Sequence, residues 1–142
     1  MSIFTCAVCG HVEFDSSPES CPVCAAAKFE QNDKLFEESM EQSKEGAAKH
    51  IPGITVNKDC KLVPGAGCID VLVMVGEVVH PMEEAHHIMY VDCYVDNKYV
   101  SRQMLTPGVY PGSLFHIKQA GSKVKIVERC NKHGFWMAEA DI

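Results

Sequence analysis

Apolar and polar positions alternate along most of the second half of the chain. The pattern predicts strands over 69–75, 86–95, 113–118 and 123–129, with Pro and Gly residues between them. Residues 94–100 predict a hairpin that turns at Asp96 and Asn97. Because no helical period follows the start of this region, the strands predict a small antiparallel β-sandwich.

The first third of the chain has a different pattern. Residues 33–48 are rich in helix formers and predict a short linking helix, with Asn32 or Asp33 as its N-cap and Gly46 as its end. Residues 1–31 hold few large apolar side chains, so a metal must supply part of their stability. These patterns divide the chain into a metal domain (1–31), a linker (32–48) and a β-sandwich domain (49–142).

Composition narrows the function classes. The 142 residues are 46% hydrophobic and 23% charged, as in a folded protein rather than a disordered one. The net charge of −6 provides no basic surface for nucleic acid or for an anionic membrane. The sequence has no apolar run of membrane-spanning length and no signal peptide at its start, so we expect a cytoplasmic protein.

Eight cysteines and seven histidines stand out from this composition. In a reducing cytoplasm they favour metal ligation or redox chemistry over disulfides. Two Cys-x-x-Cys turns predict a tetrahedral cage of four sulfurs, from Cys6, Cys9, Cys21 and Cys24. Such a cage suits zinc as well as a single iron, and the ligand types do not choose between them.

The residues around these cysteines, CAVCGH and CPVCA, resemble the rubredoxin-like domain of rubrerythrins. The resemblance covers the N-terminal segment and implies a mononuclear iron centre that passes one electron. We assign no role to His11, which we expect to be a solvent-exposed turn residue.

A second set of candidate ligands lies in the β-sandwich domain. Cys130 and His133 form a Cys-x-x-His turn, which can bring a thiolate and an imidazole to one metal. Each histidine taken alone is most simply a hydrogen-bonded structural residue. The five candidates together predict a metal site, and they are His50, His80, His86, Cys130 and His133.

From Lys49 to the C-terminus the chain resembles superoxide reductases of the desulfoferrodoxin and neelaredoxin family. The motifs are KHIP, HPM with a histidine six positions after its first residue, and CNKHGFW. The resemblance implies an immunoglobulin-like β-sandwich and an iron site with an axial thiolate from Cys130. It implies four equatorial imidazoles, from His50, His80, His86 and His133. The interval of six residues selects His86 over the adjacent His87, which we expect beside the site or in packing.

The same resemblance implies a reaction. Fe(II) gives one electron to superoxide and two protons complete hydrogen peroxide, with electrons from rubredoxin or a similar donor. The four-cysteine iron centre then serves as a relay or reservoir, Lys49 steers the anion, and the chain forms a homodimer or higher homo-oligomer. Ala48 stands where many members have a glutamate. We therefore expect water or hydroxide to close the ferric site, unless Glu45 or Glu84 reaches it.

Two other functions are compatible with these residues. One is a non-catalytic electron carrier with two iron centres, and the other is an interaction module with structural zinc in both clusters. An added anion such as azide distinguishes the enzyme from the carrier, while colour and iron content identify the zinc module. Of the remaining candidates, we expect Cys93 in the core, Cys60 and Cys68 as ordinary thiols, and His116 on a strand surface or in packing.

Overall fold

The computed structural model describes residues 1–43, 46–60, 62–63, 65, 67–118 and 121–142. The elements in chain order are β1 (Ile3–Cys6), β2 (Val12–Phe14), β3 (Phe29–Gln31), α1 (Leu35–Gln42), α2 (Gly46–His50), β4 (Pro52–Asn57), β5 (Cys68–Val75), β6 (Ile88–Val95), β7 (Lys98–Met104), β8 (Gly112–Lys118), β9 (Lys123–Cys130) and β10 (Gly134–Asp141).

The strands pair into antiparallel sheets. A small sheet has the order β2-β1-β3, and two larger sheets have the orders β10-β9-β6-β7 and β4-β5-β8. The larger sheets share one apolar core, to which β5 contributes every second residue: Ile69, Val71, Val73 and Val75. The residues between these four lie on the outer face of the sheet. The predicted architecture, a mainly β immunoglobulin-like sandwich after a small metal-knuckle domain, is confirmed.

The predicted strands agree with β5, β8 and β9 to within one residue at each end. Strand β6 begins at Ile88, so His86 and His87 lie in the preceding loop, where a single bridge joins Glu83 and His86. Asp96 and Asn97 have φ values of 48° and 64°, as a two-residue type I′ hairpin requires. Strands β4 and β10 are missing from the prediction, because β4 opens with Pro-Gly and β10 opens with a glycine and the continuous apolar run FWMA rather than an alternation.

The linker differs from the prediction of one helix. The prediction of an Asn32 or Asp33 N-cap is wrong, because α1 follows Lys34 and has no side-chain cap. The Asp33 carboxylate instead accepts the backbone N–H of Ile3 at 3.0 Å, which ties the linker to β1. Gly46 begins α2 rather than ending a helix. A Cβ on Gly46 would lie 2.8 Å from Cη2 of Trp136, so the glycine lets α2 pack closely against β10.

The metal domain is bonded to the outer face of the four-stranded sheet. Arg102 on β7 forms a bidentate ion pair with buried Asp92 on β6, at 2.6 and 2.8 Å. The same guanidinium donates to the carbonyl of Cys9 at 3.1 Å, and the Tyr90 hydroxyl donates to the carbonyl of Gly10 at 2.8 Å. The turn of the first Cys-x-x-Cys pair is therefore attached to the sandwich by side chains of β6 and β7.

His11 lies within this contact and has no exposed surface, so the prediction of an exposed turn residue is wrong. Its Nδ1 lies 3.4 Å from Asp92 Oδ2, and its Nε2 hydrogen-bonds to Glu13. The ring stacks on Tyr94 and meets the edge of Tyr99. Side chains of β6 and β7 therefore take part in burying His11.

Among the residues that the structure describes, no helix has the length and apolar character needed to cross a membrane.

Candidate metal centres

The four-cysteine cluster is built by two tight turns of the small domain. Its sulfur atoms all lie within 4.8 Å of one another, with Cys6 to Cys24 and Cys9 to Cys21 each at 3.6 Å. The edge of a tetrahedron of thiolates around zinc is about 3.8 Å, since each metal–sulfur bond is about 2.3 Å. The cluster therefore has the dimensions of a tetrahedral metal site.

The protonation of these thiols also favours a bound cation. Burial raises the pKa of Cys6, but the N–H groups of Cys9 and Val8 outweigh it and bring the pKa down to about 7. Burial, with the neighbouring sulfurs, raises the pKa of Cys9 to about 12, and burial raises that of Cys21 as well. The thiolate forms of Cys9 and Cys21 at neutral pH therefore depend on a metal ion that balances their charge.

The five predicted ligands of the β-sandwich domain come together at one end of the sandwich. Each offers a nitrogen or sulfur, and these atoms all lie within 4.8 Å of one another. His50 ends α2, His80 and His86 lie between β5 and β6, Cys130 ends β9, and His133 lies in the turn that leads to β10. Chain segments far apart in sequence thus supply one donor set.

Two of the imidazoles are held in a defined tautomer. His50 Nδ1 lies 2.8 Å from the carbonyl oxygen of Gly46, and His80 Nδ1 lies 2.7 Å from that of Pro81. A carbonyl only accepts hydrogen bonds, so both Nδ1 atoms carry the proton and both Nε2 atoms present a lone pair. These two Nε2 atoms are 3.0 Å apart. Two facing lone pairs repel at this distance, which a shared cation relieves.

The remaining donors fit the same position. Among the residues that the structure describes, none is a hydrogen-bond partner of the buried His86 Nε2. Cys130 Sγ lies 3.8 Å from His133 Nδ1, so the sulfur and the ring nitrogen can both face one ion. Trp136 stacks on the His50 ring at 4.7 Å and donates its indole N–H to the carbonyl of His133. An orphaned buried nitrogen and converging donors are what a metal ion would satisfy.

The environment keeps the imidazoles neutral, as metal binding requires. Burial lowers the pKa of His50 to about 4, opposed by its bond to Gly46 and assisted by the other histidines. Burial likewise lowers the pKa of His80 to about 4. Burial raises the pKa of Cys130, so its ionised form depends on a nearby cation. His86 and His133 are only half-buried, which places the solvent side of the cluster beside them.

Three residues close in sequence to the ligands are exposed to solvent. Lys49 and Ala48 are exposed on α2, directly before His50, and Glu84 is exposed in the loop that carries His86. The positive charge of Lys49 adds to burial in lowering the pKa of His50 and of His86, so its field reaches both. Glu45, the other carboxylate considered for the sixth position, lies outside the described residues.

His87 is not a member of the cluster. Its Nδ1 bonds to the carbonyl of Glu83 at 3.0 Å, and its backbone N–H donates to Asn131 at 2.9 Å. The adjacent loop residue His86 contributes the donor instead.

Sequence reasoning missed a third group of metal-binding side chains. Cys60, Cys68, Asp70 and His116 each place a donor atom within 4.8 Å of the others. The available signal was the alternation that puts Cys68 and Asp70 on one face of β5. The contribution of His116 depends on the pairing of β5 with β8, which the pattern of the chain does not specify. Cys93, by contrast, is fully buried in the core, as predicted.

Comparisons with known proteins found matches to both parts of the chain. Residues 40–139 match the Desulfoferrodoxin family model, and residues 4–30 match that of the rubrerythrin rubredoxin-like domain. A desulfoferrodoxin of Desulfarculus baarsii is 36% identical over 141 residues, which cover 98% of this chain and 96% of that protein. A desulfoferrodoxin of Syntrophotalea carbinolica is 31% identical over 140 residues, with coverages of 98% and 96%.

Solved structures have the same fold. A superoxide reductase (neelaredoxin) from Ignicoccus hospitalis is 26% identical with a TM-score of 0.62, and the match covers 77% of this chain and 94% of that one. The superoxide reductase from Treponema pallidum is 21% identical with a TM-score of 0.61, and the match covers 96% and 97% of the two chains. The second likeness concerns the fold alone.

Proposed function

This chain belongs to the desulfoferrodoxin family, and on that premise we propose that it is a superoxide reductase. In the proposed reaction, one electron and two protons convert superoxide to hydrogen peroxide, and no dioxygen forms. The observation that carries the proposal is the convergence of four imidazoles and one thiolate at one end of the sandwich, where His86 and His133 are half-buried. Five donors leave one position of an octahedral ion for a small ligand.

Desulfoferrodoxin and rubredoxin-like domains bind iron, and the two clusters described above supply the binding groups in this chain. We propose His50, His80, His86, Cys130 and His133 as the ligands of the catalytic iron. When bound, Fe(II) supplies the electron that superoxide accepts. We propose Cys6, Cys9, Cys21 and Cys24 as the ligands of the second iron.

The protein contributes orientation and charge to this chemistry. The carbonyls of Gly46 and Pro81 hold the His50 and His80 rings so that both Nε2 lone pairs face the same point. Lys49 lies next to His50 and is exposed, so we propose that it attracts the superoxide anion. Local attraction is needed because the whole chain has a net charge of −6. Ala48 has no carboxylate to occupy the remaining position, which we propose is filled by solvent in the oxidised protein.

We propose that electrons come from rubredoxin or a similar cytoplasmic donor, with the four-cysteine centre as relay or reservoir. The hydrogen bonds from Arg102 to Cys9 and from Tyr90 to Gly10 support this role. They attach the turn of the first Cys-x-x-Cys pair to the sheet that carries Cys130. Zinc in the four-cysteine site would exclude the relay or reservoir role, because Zn(II) has no redox chemistry.

We also propose that the chain forms a homodimer or higher homo-oligomer. Leu72 and Leu114, which pair across β5 and β8, are 44% and 47% exposed on the outer face of their sheet. Met74 extends this apolar surface and is also 44% exposed. Burial of these side chains against a second copy would favour association.

The test is a pulse of superoxide applied to reduced, iron-loaded protein. We expect rapid loss of the reduced state, with hydrogen peroxide formed in proportion to superoxide and no matching dioxygen. The Cys130→Ser and His86→Ala variants should lose the reaction, while His87→Ala, one residue away but outside the cluster, should retain it. If fully loaded, reduced wild-type protein ignores superoxide and azide leaves its spectrum unchanged, the proposal is wrong and a two-centre electron carrier replaces it.

A further inference from the structure

The outer face of the β4-β5-β8 sheet carries a group of donors that the proposed reaction does not use. Cys68 and Asp70 are two residues apart on β5 and therefore point to the same side. His116 on β8 is the direct partner of Asp70 in the antiparallel register, so its side chain shares that face. Cys60 comes from the loop after β4 and reaches the same place.

The distances within this group are those of a small metal site. Cys60 and Cys68 have their sulfurs 2.9 Å apart, and His116 Nδ1 lies 3.9 Å from the first and 4.0 Å from the second. His116 Nδ1 also lies 2.7 Å from Asp70 Oδ1. The edges of a tetrahedral zinc site with two sulfurs, one nitrogen and one oxygen are about 3.3 to 3.8 Å. Side-chain shifts of less than about 1 Å would bring these four separations into this range.

Simpler explanations each account for only part of the group. A hydrogen bond explains Asp70 and His116, and a disulfide explains Cys60 and Cys68. Neither explains why an imidazole nitrogen approaches both sulfurs from the adjacent strand. A further hydrogen bond orients the Asp70 carboxylate. Asn57 donates its side-chain N–H to Asp70 Oδ2 at 3.4 Å, which leaves Oδ1 to face the group. Ligating carboxylates are commonly oriented by such a second hydrogen bond.

We propose that Cys60, Cys68, Asp70 and His116 form a third metal site that binds Zn(II). Two thiolates and an imidazole favour a borderline-soft ion over magnesium or calcium, and the single carboxylate completes four ligands. Four protein donors saturate a tetrahedral ion, so the site is structural rather than catalytic. Its effect is to fasten Cys60, and with it the start of the loop that follows β4, to the outer face of the sheet. The site does not depend on superoxide reduction.

The experiment uses the full chain with both other centres loaded with iron and its thiols reduced. Cobalt(II) is added as a spectroscopic substitute for zinc, followed by competition with zinc. We expect one further equivalent of cobalt per chain, with sulfur-to-cobalt charge transfer and intense tetrahedral d–d bands. Zinc should displace the cobalt and abolish those bands.

Matched variants locate the ion. His116→Ala and Cys60→Ser lie at the surface of the sheet and should fold, which the unchanged absorption of the two iron centres will verify. Both should lose the additional equivalent and its charge-transfer band, while His87→Ala should retain them. Zinc should raise the unfolding temperature of the wild type and leave that of His116→Ala unchanged.

Two outcomes of this experiment would contradict the proposed zinc site. Equal cobalt uptake by wild type and by both variants would show adventitious binding elsewhere and overturn the proposal. So would the absence of tetrahedral bands in reduced protein. Neither result bears on superoxide reduction, which is measured at the iron centre with four histidines and one cysteine, so failure of this site and failure of the proposed function are distinguishable.

Discussion

The buried ion pair between Arg102 and Asp92 should determine how firmly the metal domain is attached to the sandwich. Asp92 has no exposed surface, and the Arg102 side chain is 6% exposed. Replacing Asp92 by alanine leaves the Arg102 guanidinium buried without its counter-charge. It also removes the carboxylate that lies beside His11 Nδ1. Breaking such a buried pair costs about 3–5 kcal/mol of unfolding free energy.

An exposed ion pair in the same sandwich provides the control. Lys123 and Asp141 are 3.8 Å apart with side chains 59% and 87% exposed. Removing an exposed pair costs at most about 1 kcal/mol, so Asp141→Ala should resemble the wild type. Asp92→Asn keeps the shape and one acceptor but removes the charge, and it should fall between the two.

Urea denaturation followed by two probes measures this difference. Absorption of the four-cysteine iron centre reports on the metal domain, and fluorescence of Trp136, the single tryptophan of the chain, reports on the sandwich. With a urea dependence of about 1–3 kcal/mol per molar, the loss of 3–5 kcal/mol lowers the midpoint by about 1 M or more. We expect the absorption to be lost first in Asp92→Ala. If its midpoint equals that of Asp141→Ala for both probes, the ion pair does not hold the domains together.

Three other expectations concern separate features. Gly46→Ala should cost about 1–3 kcal/mol in chemical denaturation, because the new methyl group would meet the side chains of Ser43 and Trp136 and force α2 to shift. Hydrogen bonds from the N–H groups of Lys123 and Ser122 lower the pKa of Asp96, so its contribution to stability is present above the carboxylate's ordinary pKa and is lost as pH falls through the lowered value. Unfolding from pH 6 to 3 should therefore show a smaller acid loss in Asp96→Asn than in the wild type. Lys49→Ala should slow the reaction with superoxide by about ten-fold or more and weaken its dependence on ionic strength, as stopped-flow kinetics would show.

Local chemistry made several parts of the molecule predictable. Period-two alternation located β5, β8 and β9, and Asp96-Asn97 indicated a turn whose positive φ values the structure contains. The four-cysteine cage was also expected, because each Cys-x-x-Cys pair is formed within one turn of the backbone. The choice of five ligands in the sandwich required a family resemblance. It stays a prediction, although the structure brings the donors within 4.8 Å of one another.

Other features depended on contacts between distant segments. His11 was expected in water because its own segment is polar and rich in turns, yet docking against Asp92 and Tyr94 buries it completely. The predicted single helix is replaced by α1 and α2, the second of which packs its first residue, Gly46, against Trp136. A local sequence pattern does not specify which surface of the folded protein a segment will pack against.

The sequence alone therefore determined the elements whose causes lie within a few residues: alternating strands, the Asp96-Asn97 hairpin and the paired cysteines. Tertiary structure decided which distant donors meet. Antiparallel pairing of β5 with β8 places His116 opposite Asp70, and the packing of α2 brings His50 to within 3.0 Å of His80. The reason is physical: turn and strand preferences depend on neighbouring backbone, whereas register and packing depend on the free energy of burying whole faces against one another.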